Sequence, residues 1–154
     1  NRKCMGMDDT RPEVLSFEEQ FEIQRDKFNY LNWQPGAEFY RAVPFGDHCT
    51  PWQPGWVGGG MSSYALMKLG GEVEWKRGLA TLRHLFRTQG KSGFFYGMAD
   101  ENGQVIHDPS GIDQHLIRES GDMLVFLFKH FRLIQERNQT VPVEFEAGAR
   151  KLAG

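Results

Sequence analysis

The run Phe86–Leu133, FRTQGKSGFFYGMADENGQVIHDPSGIDQHLIRESGDMLVFLFKHFRL, decides how this chain reads. A helical pattern ends near Thr88. An aromatic loop follows, from Gln89 to Gly111. In it, Phe94-Phe-Tyr-Gly-Met98 and Gln104-Val-Ile-His107 flank Asp100-Glu-Asn-Gly103. Asn-Gly favours a tight turn because both residues tolerate positive φ, so a small β-hairpin is predicted over 94–107. A long helix is then predicted over Ile112–Arg137. Its apolar residues cover most of the circumference as far as Phe131, which predicts burial on several sides. Arg118, Glu119 and Asp122 fall in its first turns. Gly121 costs such a helix about 1 kcal/mol relative to Ala, which suggests close approach of another backbone.

Upstream, Glu72 to Thr88 reads as a helix with Trp75, Leu79, Leu82, Leu85 and Phe86 on one face. A shorter helix is predicted over Gly60–Leu69, ended by Gly70-Gly71, where glycine can take a left-handed C-cap. So short a link makes the two helices antiparallel neighbours. Residues Asn32 to Gly60 read differently. They hold Pro35, Pro44, Pro51 and Pro54 among Trp33, Phe39, Tyr40, Phe45, Trp52 and Trp56. The aromatic density argues for an ordered loop packed over something. Ser16-Phe-Glu-Glu19 is a capping box, opening a helix to about Tyr30 with Phe17, Phe21, Phe28 and Leu31 as its expected buried stripe. Residues 1–15 read as a linker or irregular arm. Downstream, Pro142 opens a last helix with Phe145, Ala149 and Leu152 on one face.

The expected class is all-α, built from antiparallel helical hairpins, with one small β-hairpin in a long loop. Long loops alternate with short turns, which places the loops at one end of the bundle and the turns at the other. The last helix has no natural C-cap, so residues 16–154 read as part of a domain that continues in a longer chain, and the rest of that chain is an expected partner.

Composition narrows the functional classes. At 154 residues the chain fits one domain. A formal net charge of −2, with dispersed Lys and Arg, gives no footprint for nucleic acid or an anionic membrane. No apolar run is long enough to span a membrane. No secretory leader is visible, and the expected location is the cytoplasm. The two cysteines, Cys4 and Cys49, lack CxxC spacing. His48, His107, His115 and His130 lack metal-ligand spacing, and Asp100-x-Asn102-Gly103 lacks the distal Glu of a calcium loop. Gly58-Gly-Gly60 lacks the Gly-Lys-Ser/Thr ending of a phosphate loop. Neither metal nor cofactor is expected.

Three segments together resemble the six-hairpin glycosidase superfamily: Gln53-Pro-Gly-Trp-Val-Gly-Gly-Gly60, Ser92-Gly-Phe-Phe-Tyr-Gly97 and Leu116-Ile-Arg-Glu-Ser-Gly-Asp122. The likeness covers roughly Pro44 to Leu152 and is closest to uncharacterised glycosyl-hydrolase-like proteins of bacteria. It implies an (α/α) toroid, with inner and outer rings of helices and a substrate cleft lined by the loops that lead into inner helices. Those loops are here Asn32–Gly60 and Gln89–Gly111. A complete toroid needs more helices than this chain supplies, so a whole active site is not expected within it.

Glycoside hydrolysis typically needs two carboxyl groups across a cleft. Asp122 and Asp113 are the expected catalytic pair, since the start of an inner helix would point them inward. A helix cap is the structural alternative for Asp113. An i,i+4 pair with Arg118 is the alternative for Asp122. Trp52, Trp56, Phe94 and Tyr96 offer flat apolar faces to a sugar ring, beside Arg118. Their alternative is to pin the loops to the bundle. Carbohydrate is the expected ligand class. A non-catalytic helical scaffold for protein partners is the rival reading.

Overall fold

The first helix starts where its capping box predicts. The computed structural model describes residues 14–41, 61–96, 102, 104, 105 and 117–154, with side chains from residue 120 onward in the last segment. The Ser16 hydroxyl accepts from the Glu19 N–H at 3.2 Å, and the Glu19 carboxylate accepts from the Ser16 N–H at 2.8 Å. These bonds satisfy two of the donors a helix start leaves free. Helix α1 runs Phe17–Lys27 and widens into a π-helical turn, Phe28–Asn32. The strands β1 (Trp33–Gln34) and β2 (Phe39–Tyr40) then form an antiparallel hairpin, pairing Trp33 with Tyr40 and Gln34 with Phe39. After these come α2 (Ser62–Leu69), α3 (Glu72–Arg87), α4 (Ile117–Glu136) and α5 (Val143–Ala153). The described protein is mostly helical, with one small hairpin.

The hairpin lies at 33–40, inside a stretch expected to lack regular structure. Its strands are too short for alternation to reveal them, and tertiary bonds fix them instead. Asn32 Nδ2 donates to the Arg41 carbonyl at 2.8 Å, and the Arg41 N–H donates to the Asn32 carbonyl at 2.9 Å. The Tyr40 N–H donates to Thr81 Oγ1 on α3 at 3.1 Å. Most of the hairpin expected over 94–107 lies outside the described residues.

Helices α2 and α3 form the predicted antiparallel pair. Gly70 is not left-handed, however: its φ is −84°. Space is what requires glycine there. A Cβ would stand 2.5 Å from the Leu66 carbonyl oxygen and 2.6 Å from Glu74 Cγ. At the far end of α3, a Cβ on Gly148 of α5 would collide with the Phe86 ring. That close approach lets Phe145 stack on Phe86 with centroids 4.9 Å apart. Met67, Trp75, Leu82, Met123, Leu127 and Phe145 are among the buried residues of the core. Each such side chain contributes ~1.5–3 kcal/mol by leaving water.

Contacts fix the helix directions. Tyr64 of α2 meets the rings of Phe126 and His130, and Lys68 lies one turn further on beside Arg132 and Leu133. The helices α2 and α4 are therefore parallel. On the other side, Phe86 meets Phe145, while Gln89 Nε2 and Lys151 Nζ make bonds at 2.9 Å to the Gly148 and Gly90 carbonyls. The helices α3 and α5 are likewise parallel, and they run opposite to α2 and α4. Arg137, beyond α4, reaches Glu72 at 3.3 Å and lies over the Trp75 ring at 4.1 Å. Both short turns thus share one end, as the loop alternation predicts.

Further expectations hold only in part or fail. The predicted stripe of α1 is partly covered: Phe21 and Phe28 are half-buried, with Phe28 edge to face against Tyr40 at 6.0 Å, while Phe17 and Leu31 are exposed and no residue of α1 itself is fully buried. On α4, Val125 and Phe128 are exposed, so one flank of this apolar helix is open. Gly121 is exposed, with nothing within 4 Å of where its Cβ would stand, so it marks no close backbone approach.

Candidate functional site

The residues expected to bind sugar are described only in part. Trp52, Trp56 and Asp113 lie outside the described residues, and so does the Arg118 side chain. Phe94 and Tyr96 are half-buried in the segment that follows α3, on either side of Phe95. Phe95 is buried and meets Phe86 edge to face at 5.7 Å, which anchors that segment to the bundle. Asp122 is half-buried, two turns into α4. Because α4 runs opposite to α3, its early turns lie toward the end where α3 finishes. Asp122, Phe94 and Tyr96 therefore share the end of the bundle away from the short turns.

At the opposite end a polar cluster closes around Asn29, which the π turn presents to α3. Its Oδ1 accepts from Tyr40 Oη at 2.8 Å and from Arg77 Nη1 at 2.8 Å. Its Nδ2 donates to Glu74 Oε1 at 2.6 Å. The second Glu74 oxygen accepts from the Gly71 N–H at 2.7 Å, which caps α3. The Arg77 guanidinium lies over the Trp33 ring at 4.9 Å. An open cavity of about 430 Å3 adjoins the cluster, lined by Arg25, Asp26, Asn29, Tyr30, Glu72 and Arg77 among others.

The protonation of the cluster follows from these bonds. Burial pushes the Glu74 carboxyl up. Hydrogen bonds from the start of α3, Asn29 and Gly71, with the charge of Arg25, outweigh it, so Glu74 sits below the usual carboxylate range. An ionised, fully hydrogen-bonded carboxylate is a poor proton donor. Tyr40 moves the other way: burial takes its phenol up to about 12, against the opposing charge and hydrogen bond of Arg77. At neutral pH the cluster holds a fixed carboxylate and a fixed phenol. It joins α1, the hairpin and α3, and it supplies no acid–base pair.

A second polar pair is enclosed between α2 and α4. Ser63 Oγ lies 3.1 Å from His130 Nε2, and His130 Nδ1 lies 2.6 Å from the Phe126 carbonyl oxygen. A carbonyl can only accept, so Nδ1 carries the proton and Nε2 accepts from the Ser63 hydroxyl. Burial holds the imidazole down to about 4, against the opposing bond to Phe126. This is the atom order of a nucleophile, a base and an orienting acceptor. Both side chains are wholly buried, however, which suits a link between the two parallel helices rather than a site open to substrate.

Sequence reading missed both clusters. Asn29 and Glu74 are 45 residues apart, and Ser63 and His130 are 67 apart. Pairs at such separations leave no periodic signal. The Gly71–Glu74 spacing was the one local clue, as a capping arrangement. Among the described residues, no three His, Cys, Asp or Glu side chains could hold a metal ion, and no helix is long and apolar enough to cross a membrane. No family model, curated protein or solved structure matches the chain.

Proposed function

We propose that this chain is a segment of an (α/α) helical toroid that binds carbohydrate and, with the remainder of a longer chain, hydrolyses glycosides. One observation carries the reading: two parallel helices, α2 and α4, lie side by side, with two parallel helices of opposite direction, α3 and α5, packed beside them. Adjacent α-hairpins in a two-ringed toroid require that arrangement, with α2 and α4 as inner helices. The half-buried Phe94 and Tyr96 would then stand with Asp122 at the mouth. The rings supply stacking area, and the carboxylate suits a base or nucleophile. The open apolar flanks of α1 and α4 suit contact with further hairpins.

Affinity electrophoresis and calorimetry against a panel of soluble oligosaccharides test this reading. Weak binding is expected, reduced at least tenfold by Tyr96→Ala and by Asp122→Asn with the helical circular dichroism unchanged. Binding that ignores both substitutions, or no binding to any member of the panel, removes the site. The scaffold reading rests on a separate observation, the uncovered apolar residues of α1. Capture of a helical partner lost on Phe17→Glu, without sugar binding, favours it.

A further inference from the structure

The segment that carries Phe94 and Tyr96 is fastened to the last turns of α5. Gln89 Nε2 donates twice, to the Gly93 carbonyl at 2.6 Å and to the Gly148 carbonyl of α5 at 2.9 Å. Lys151 Nζ donates to the Gly90 carbonyl at 2.9 Å. Within the segment, the Gly90 N–H donates to the Phe94 carbonyl at 2.9 Å and the Gly93 N–H to the Gly90 carbonyl at 3.0 Å. The backbone bonds close a tight turn over the exposed Lys91 and Ser92, and the two side chains hold that turn on α5. Because α5 runs with α3, these contacts lie at the end of the bundle that Asp122 shares.

Gly93 shows how close the approach is. Its φ is +94°, and a Cβ there would collide with the Lys151 carbonyl. Glycine alone meets both conditions without strain. On the other side of Phe94, the Phe95 ring is buried against Phe86. Phe94 thus stands between two anchored neighbours, and Tyr96 follows the second. Both rings are half-buried. The dipole of α5 favours any cation in its last turn, but it does not direct one to Gly90. Arg150, in the same turn, pairs instead with Glu146 at 3.9 Å. A ring already fixed in place gives up less rotamer freedom when a ligand settles on it.

We infer that Gln89 and Lys151 are positioning residues, which hold this segment so that Phe94 and Tyr96 are in place before a ligand arrives. A sugar as that ligand rests on the carbohydrate reading above; the clamp rests on the bonds themselves. Two readouts separate them. The first is amide order by 15N relaxation without sugar. Order parameters over Gly90–Tyr96 should fall from about 0.85 in the parent toward about 0.6 in Lys151→Met and in Gln89→Ala. The second is calorimetric affinity for cellohexaose, xylohexaose and maltohexaose. Whichever of these the parent binds should bind about fivefold more weakly to both variants. Lys151→Arg, which keeps a donor of similar reach, should restore order and affinity. Arg150→Met removes the same charge from the same turn and should change neither. Circular dichroism checks that each variant is folded. An unchanged order in both variants overturns the clamp, and so does a loosened segment that binds sugar as tightly as the parent. A segment that loosens in a protein whose parent binds none of the three sugars upholds the clamp and overturns the carbohydrate reading.

Discussion

Helix α1 carries a sparser apolar stripe than α3, and the two meet different fates. Along α3, Trp75, Leu82 and Leu85 are buried, as are the polar Glu74, Thr81 and His84. Along α1 no residue is buried, and Phe17 remains 72% exposed and Ile23 54%. Spacing says which face a helix would bury, but burial needs a neighbour. Helix α3 has three: α2, the hairpin and α5. The polar link through Asn29 and the Phe28 ring join α1's end to α3 and the hairpin, while Phe17 and Ile23 further back stay exposed.

The largest test of that contrast is a pair of truncations. Phe145→Ala removes a wholly buried ring stacked on Phe86 and should cost about 3–5 kcal/mol in urea unfolding. Phe17→Ala should stay within about 0.5 kcal/mol of the parent. Equal losses would mean that the α1 face is covered in solution. Gly148→Ala comes next. Its methyl group must displace the Phe86 ring, so about 1–3 kcal/mol of destabilisation is expected from overpacking. A neutral result would show that α5 can shift away from α3.

Removing a polar link should cost less than removing the ring. Asn29→Ala leaves Glu74 and Tyr40 without that partner, and about 1–3 kcal/mol should be lost. Tyr40→Phe should cost less, since Asn29 keeps its bonds to Glu74 and Arg77.

Two buried histidines give a pH signature. Burial, with the neighbouring Arg87 charge for His84, holds both imidazoles down to about 4. Above the ordinary value of 6.5 both rings are neutral in the folded and unfolded chain, and their contribution is full. Between 6.5 and about 4 the unfolded chain binds protons that the folded rings refuse, so stability falls with pH. Below about 4 the folded rings charge as well, and this loss levels off. Thermal melts across that window should show the fall, and His130→Gln should flatten it. The smallest effect is expected from Ser16→Ala, about 0.5–1 kcal/mol, read as lost helicity in α1.

How much the sequence revealed follows the same division. Features set by neighbours in sequence were legible: the Ser16–Glu19 capping box, the Gly70-Gly71 link, and α5 with Phe145 and Ala149 inward. Features set across long separations were not. The two-residue strands of the hairpin are held by Asn32, Arg41 and Thr81, and Ser63 meets His130 only because α2 and α4 lie parallel. Of the candidate site, Phe94, Tyr96 and Asp122 were legible as an aromatic loop and the start of a long helix. Trp52, Trp56 and Asp113 lie outside the described residues.

The proposed sugar site lies at the end of the bundle away from the short turns. Amide chemical-shift mapping during titration with a binding oligosaccharide tests it most directly. Shifts are expected to concentrate at Phe94–Tyr96 and in the first turns of α4 around Asp122, with α1 unmoved. Shifts confined to α1, or none at saturating sugar, would contradict it.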